Sequence, residues 1–268
     1  MRIAVTGGSG FIGQAVVREA QSRGHDVQVC DRDAGCDVLG DLEPLSGADS
    51  VIHLAGMLGT HELFDAAAEA VQVNVAGSLK VMQWCIAHNA QYTGIMMPDV
   101  FPSIYTATKI AAKRLGDALH HSGGLKVSHV RAFNAYGPGQ KHGDGHPQKI
   151  LPTFAVAAWE RRPIPVWGDG SQWVDLIRTD DLARMLVDAT GFTNNEVFDG
   201  GTGRSVSVQD VANFVNEYTG NKAGILYMPM RRGEDPTFIK ATGEGWDLLG
   251  WRPEFAWSKL LGTIDSYR

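Results

Sequence analysis

The segment Val5-Thr-Gly-Gly-Ser-Gly-Phe-Ile-Gly13 constrains what this chain can fold into more than any other stretch. Before it, Arg2–Thr6 is a short run with the composition of a strand. After it, Phe11–Arg23 carries Ile12, Ala15, Val16 and Ala20 at helical spacing and is closed by Gly24. Gly7, Gly10 and Gly13 between a strand and a helix meet three steric demands: one turns the chain, one lets backbone approach a pyrophosphate, and one lets the helix pack on the strand. The N-terminus of the helix adds N–H groups without intrahelical partners and the positive end of a dipole. A strand over Val27–Asp31 completes a strand–helix–strand unit, and parallel strands joined this way need helices covering the sheet.

The rest of the first half keeps that rhythm. Strands are expected over Ser50–Ala55, Gly94–Met97 and Lys126–Arg131, with helices over Asp65–His88 and Ala107–His121 between them. After Asn134 the pattern changes: Tyr136–Gln148 holds four glycines and two prolines, which suits an irregular loop at a site. Beyond it the spacing predicts helices over Leu151–Glu160, Asp180–Ala189 and Ser207–Thr219, a strand over Ile164–Trp167, and a last helix from Trp257. The expected architecture is α/β: a Rossmann-like doubly wound parallel sheet in residues 1–133. Residues 134–268 form mainly a smaller C-terminal substrate-binding lobe, with some segments returning to the core.

Composition excludes several classes. The 24 basic and 30 acidic residues give a net charge of −6 without a basic run, which argues against nucleic-acid and membrane-surface binding. No apolar stretch approaches the ~20 residues of a membrane span. The chain begins MRIAVTGG, a strand pattern without an apolar leader, so a cytoplasmic protein is expected. Cys30, Cys36 and Cys85 are odd in number and lack metal-ligand spacing, which reads as free thiols in a reducing compartment.

Two further groups bear on the nucleotide and on chemistry beyond its binding. Asp31 ends the second strand, where a carboxylate accepts from the adenosine ribose hydroxyls; it favours NAD, because a 2′-phosphate would face like charge, while Arg32 leaves NADP as the alternative. Tyr105 and Lys109 stand four residues apart on one helical face. A lysine cation beside a tyrosine stabilises phenolate and lowers its pKa from ~10, which yields an acid/base for a sugar or alcohol hydroxyl. The lysine also reaches a nicotinamide ribose.

With these motifs on view the chain resembles the extended short-chain dehydrogenases/reductases, specifically the NAD-dependent nucleotide-sugar epimerases and dehydratases. Besides TGGSGFIG and YTATK, the resemblance rests on Gly40-Asp-Leu42, His53-Leu-Ala-Gly56, Asn74 in NVAGS and Arg131-Ala-Phe-Asn-Ala-Tyr-Gly-Pro-Gly139. It extends through Trp167-Gly-Asp-Gly-Ser171, Phe198-Asp-Gly-Gly-Thr-Gly203, Gly233-Glu234 and Leu249-Gly-Trp251. The resemblance implies that Phe11 and Ile12 lie on the cofactor phosphates, that Asp31 holds the ribose, and that Asp41 and Leu42 flank adenine. It implies that Leu54, Ala55 and Gly56 line the groove with Asn74 beside it and that Phe133 approaches the nicotinamide. Asn134 and Arg231 then meet the diphosphate of a nucleotide-linked sugar. The implied activity is epimerisation through a transient keto-sugar with Tyr105 as acid/base; a reductase or dehydratase, or an NAD-binding protein with little turnover, are the alternatives. The family's pairing habit implies a homodimer, with Asp65–His88 and Ala107–His121 as candidate faces.

Three departures from the family pattern stand out. Met97 occupies the place of a Ser/Thr at the strand end before the tyrosine, and a thioether donates no hydrogen bond to a reacting oxygen. Ser103, Thr106 and Thr108 are the candidate substitutes. The loop between Phe101 and Tyr105 is reduced to Pro-Ser-Ile, which reshapes one wall of the sugar pocket. Val174 replaces an arginine before Asp175, removing a phosphate contact. Trp173 beside it reads as a core residue. At the positions of a dehydratase's Asp-Glu pair the chain has Pro98 and Asp99. His142, Asp144 and His146 are spaced for a cation but lack a third firm ligand, so no metal is expected.

Overall fold

The computed structural model describes every residue except Asp144 and Pro236. Its first half is built on the strands β1 (Arg2–Thr6), β2 (Asp26–Cys30) and β3 (Ser50–His53), with helix α1 (Phe11–Ser22) between the first two. The helix expected over 65–88 runs as α2 (Ala67–Val71), one π-helical stretch over Gln72–Gly77, and α3 (Ser78–Ala87). Then come β4 (Gln91–Met96), α4 (Ile104–Gly123) and β5 (Lys126–Ala132). Helix α4 begins three residues earlier than its apolar spacing suggests because Ser103 caps it: the Ser103 Oγ accepts from the Thr106 N–H at 3.2 Å. It stops at Gly124, whose φ of 74° places it in the left-handed region.

The second half contributes β6 (Asn134–Tyr136), α5 (Ile150–Trp159), β7 (Ile164–Trp167) and β8 (Trp173–Arg178). It continues through α6 (Thr179–Ala189), β9 (Asn194–Gly200), β10 (Ser205–Ser207), α7 (Val208–Thr219) and β11 (Ile225–Met228). The central sheet has the order β2-β1-β3-β4-β5-β9 and every neighbouring pair is parallel. β9 therefore leaves the second half of the sequence and joins the first. Helices cover both faces: α1 and α6 bury Val16, Ala20, Leu182 and Leu186 with Ile3, Val5 and Phe198, while α3 buries Val81, Met82 and Cys85 with Ala4, Val51 and Tyr92. A third core packs α5 and α7 against β7 and β8. Strand order reverses between β1 and β3, and in open parallel sheets the crevice beyond the strand C-termini at such a reversal is where ligands bind.

Asp199 joins these parts. Fully buried at the end of β9, it pairs through Oδ1 with Arg131 on β5 at 2.8 Å, and its Oδ2 accepts from the N–H of Thr242 at 2.7 Å and of Gly243 at 3.1 Å. Its charge is met on both oxygens, as a buried carboxylate requires.

The cysteine expectation is corrected. Cys30 and Cys36 form a disulfide with Cα atoms 5.0 Å apart, and Cys85 alone is free and buried. Odd number and spacing cannot reveal such a pair, because the left-handed Gly35 that turns the chain back between them is a tertiary outcome. No helix among the described residues is long and apolar enough to cross a membrane.

Candidate active site

The glycine-rich turn is closed by contacts that only glycine permits. A Cβ on Gly13 would sit 2.1 Å from the Gly7 carbonyl oxygen, and one on Gly7, whose φ is 72°, would sit 2.7 Å from the Ala55 amide nitrogen. Gly7 is held at the other side by donating its N–H to the Cys30 carbonyl at 2.8 Å. Because the N-cap of α1 is Gly10, no side chain satisfies the first turn, and its residues Phe11, Ile12 and Gly13 line a cavity of about 830 Å3. That volume falls within the range of small-molecule and cofactor sites.

The cavity runs from this turn along the strand ends. Gly7, Gly10, Asp31, Arg32, Leu54, Ala55 and Gly56 line its first half, and Tyr105, Lys109, Phe133, Asn134 and Arg231 line its second. The Asp31 carboxylate is oriented by two backbone donors, Ser9 N–H at 3.0 Å and Asp33 N–H at 3.2 Å. An N–H-rich turn, a positioned carboxylate and an elongated groove are the features a dinucleotide needs, so these residues fit NAD.

Three expected cofactor contacts stand elsewhere. Asp41 and Leu42 do not line the cavity: Leu42 is buried in the core and the Asp41 Oδ1 accepts from the Glu43 N–H at 3.1 Å. Asp37 and Val38 take that wall, four residues earlier. The signal was present in the sequence as a second Asp-apolar pair, and spacing alone could not rank the two. Asn74 is fully buried behind the wall, where its amide bonds Met57 and Thr108.

Tyr105 and Lys109 share the cavity wall one helical turn apart. Here burial decides their acidity. It pushes the Tyr105 phenol up to about 12 and the Lys109 ammonium down to about 8. Removal of the phenol from water is the cause of its rise, and the lowering by Lys109 expected from spacing does not occur. Beneath them His53 is held between Thr6 Oγ1 at 2.7 Å and Ser78 Oγ at 2.9 Å, and burial followed by the charge of Lys109 lowers it to about 3. It is therefore a neutral structural group.

At the strand end Met96, Met97 and Phe101 line the wall where a hydroxyl was sought. The proposed substitutes are engaged elsewhere: Ser103 and Thr106 bond each other at 3.1 Å, and Thr108 donates to the Tyr105 carbonyl at 2.9 Å. Asp99 lies in a separate apolar groove with Phe64, Phe101 and Ile104. Trp173 is 40% exposed and lines the cavity, which corrects its reading as a core residue. Val174 is buried on the same wall.

Arg231 reaches the cavity with Glu234 on its guanidinium, 2.9 Å from Nε, and lies 4.6 Å above the Trp167 ring. Lys149, which sequence reasoning missed, lines the cavity as well; burial lowers its pKa, and Glu62 opposes that shift. Its only sequence signal was a cation beside the apolar start of α5. His146 lines the cavity, whereas the His142 ring packs edge-on against Tyr267 at 5.3 Å. Asp144, the third member of that trio, lies outside the described residues. Among the described residues no metal-holding cluster of His, Cys, Asp or Glu occurs.

Comparison with known proteins agrees with this geometry. The model of the NAD dependent epimerase/dehydratase family matches residues 3–94 and 98–198, interrupted at the end of β4 and at Met97 just past it. A dTDP-glucose 4,6-dehydratase from Streptomyces niveus is 26% identical, the match covering 100% of this chain and 93% of that protein. A UDP-glucuronate 4-epimerase from Thermodesulfobacterium geofontis is 27% identical over 77% of this chain and 68% of that protein. The structure of MoeE5 in complex with UDP-glucose and NAD is 26% identical and superposes with a TM-score of 0.87, covering 99% of this chain and 98% of that one. With its glycine-rich turn, the Asp31 carboxylate and the tyrosine–lysine pair on one cavity, the chain belongs to the NAD dependent epimerase/dehydratase family.

Proposed function

We propose that this protein is an NAD-dependent epimerase acting on a nucleotide-diphosphate sugar through a transient keto-sugar. The observation that carries the reading is the placement of Tyr105 and Lys109 on the same cavity wall as Phe133 and Asn134, continuous with the glycine-rich turn. Bound in the groove lined by Gly10, Phe11 and Asp31, NAD would supply uptake and return of the hydride of the sugar carbon. Tyr105 removes the proton from the sugar hydroxyl and gives one back once the carbonyl presents its other face. Lys109 keeps a cation beside the phenolate and reaches the nicotinamide ribose. Lys149 and Arg231 supply positive charge for the diphosphate, with Asn134 as a polar contact.

A dehydratase needs a further acid/base next to the sugar. Pro98 has no such group and Asp99 faces a different groove, which favours epimerisation over loss of water. A homodimer is part of the reading, with α3 and α4 as its faces and the apolar groove of Phe101, Ile104 and Ile110 at their edge. Light scattering tests it.

The chemical test offers purified protein and NAD a panel of UDP-, GDP- and dTDP-sugars. One epimer pair interconverts, and Tyr105→Phe lowers turnover by about 10²–10⁴ while NAD still binds. Absence of both interconversion and any keto-sugar across the panel overturns the proposal.

A further inference from the structure

The Cys30–Cys36 disulfide closes a loop of five residues, Asp31-Arg32-Asp33-Ala34-Gly35, and the first of them is the carboxylate that faces the cofactor ribose site. Both cysteines line the cavity themselves. Each end of the bridge is fastened to the nucleotide site. The Cys30 carbonyl accepts from Gly7 in the phosphate turn at 2.8 Å, and the Cys36 N–H donates to the Asp31 carbonyl at 2.9 Å. Between them Arg32–Gly35 is exposed and forms a single 3₁₀ turn. β2 is the edge of the sheet, so no further strand supports the loop from outside. Covalent closure and a few local hydrogen bonds hold it.

We propose that Cys30 and Cys36 form a redox-reactive site that sets the affinity of the groove for NAD. The disulfide form holds Asp31 and Arg32 at the ribose position, and the dithiol form releases the loop. The inference rests on the assignment of the groove to NAD and adds to it a control that the reaction itself does not require.

The step balances as thiol–disulfide exchange with a dithiol reductant. A thiolate of the reductant attacks one sulfur of the bridge, the S–S bond breaks, and a mixed disulfide forms while the other protein sulfur leaves as a thiolate and is protonated. The reductant's second thiol then displaces the remaining protein sulfur and closes a disulfide of its own, so two electrons and two protons pass to the protein. Cys30 and Cys36 are only 1% and 4% exposed, so attack requires the exposed loop to swing outward. An adenosine seated on Asp31 opposes that motion. By reciprocity of linked equilibria, the factor by which reduction weakens NAD binding is the factor by which saturating NAD shifts the thiol equilibrium toward disulfide.

The test uses the whole protein equilibrated with dithiothreitol or with its oxidised cyclic form. The thiol state is counted by mass after alkylation under denaturing conditions, NAD affinity is read by calorimetry, and near-ultraviolet circular dichroism reports the fold. If the open loop keeps Asp31 in place about a fifth of the time, reduction raises the NAD dissociation constant about fivefold with the dichroism unchanged. Cys36→Ser binds NAD at the weaker level in both buffers, and NAD shifts the wild-type thiol count toward disulfide. Equal affinity in the two buffers, with the thiol count differing by two, overturns the proposal, as does a full thiol count in the oxidising buffer. Loss of the dichroism on reduction overturns it as well, because general unfolding then explains the change. Absence of NAD binding in either buffer overturns the groove assignment and the proposal with it.

Discussion

Asn74 Nδ2 donates to Thr108 Oγ1 across 3.0 Å, tying the π-helical stretch behind the cofactor groove to the helix that carries Tyr105 and Lys109. The same amide closes a two-bond ring on Met57, accepting from its N–H at 2.8 Å and donating to its carbonyl at 2.9 Å. One buried side chain thereby links the cavity wall at Met57 to the helix of Tyr105 and Lys109. A π-helical turn is a feature often found at functional sites, and here it directs Asn74 inward.

Asn74→Ala leaves buried partners of that amide unpaired, which costs about 2–3 kcal/mol of stability. Because the helix of Tyr105 and Lys109 loses a positioning contact, turnover in the proposed reaction is expected to fall on the order of tenfold, with the larger change in kcat rather than in KM. Chemical denaturation and steady-state kinetics of the variant check both values.

Gly13→Ala places a methyl group 2.1 Å from the Gly7 carbonyl oxygen and 2.7 Å from the Gly8 Cα. Both obstacles are backbone, so the turn itself must open. NAD affinity is expected to fall by at least an order of magnitude, and stability by about 1–3 kcal/mol. Calorimetric titration with NAD measures the first, and thermal unfolding the second.

Lys109 carries a pH signature. Its pKa is lowered from 10.5 to about 8 by burial, so at pH 7 both folded and unfolded states hold the proton and the folded state bears the cost of a buried cation. Between about pH 8 and 10.5 the unfolded chain binds more protons at this site than the folded one, and stability from this group rises with pH. Lys109→Met therefore gains about 3 kcal/mol over wild type at pH 7, and the gain shrinks toward zero as pH climbs through that window. Denaturant midpoints of the pair across pH 7–10.5 test it, while the variant's turnover collapses.

Met97→Thr adds an O–H donor to the wall beside Tyr105. An oriented donor at developing oxygen charge is worth up to about 10²–10³ in rate, and a first-generation replacement at this wall is expected to recover on the order of tenfold in the single-turnover oxidation of the sugar. NAD affinity stays unchanged, because the substitution lies at the sugar end. A rate below wild type shows that the thioether fills a shape the substrate uses.

Much of the central architecture is visible in the chain's local pattern because its first strands are short runs separated by amphipathic helical segments, β1 ending at the glycine-rich turn. Arg2–Thr6 and Ile164–Trp167 match their expected limits, and Ser207 caps α7 by accepting from the Asp210 N–H at 3.0 Å. β9 is different: Asn194–Gly200 mixes Asn, Glu and Asp with Val and Phe, and its Asp199 is settled by Arg131 and the segment after Ala241 while its Asn195 donates to Asp117. No periodicity announces a strand whose Asn195 and Asp199 find their partners tens of residues away. β8 opens with Trp173, whose partner Phe238 lies 5.7 Å away in the loop that walls the cavity.

The sequence by itself determined the strand–turn–helix at Gly7–Gly13 and the one-turn spacing of Tyr105 and Lys109. Both depend on steric limits and helical periodicity within a few residues. The tertiary structure decided the rest of the site. It chose Asp37 and Val38 over Asp41 and Leu42, brought Lys149 and Trp173 to the cavity, joined Cys30 to Cys36 around Asp31, and left Met97 where a hydroxyl donor was sought. The physical reason is that burial and long-range approach fix which side chain faces a cavity and how its charge is solvated, and neither is a property of local spacing.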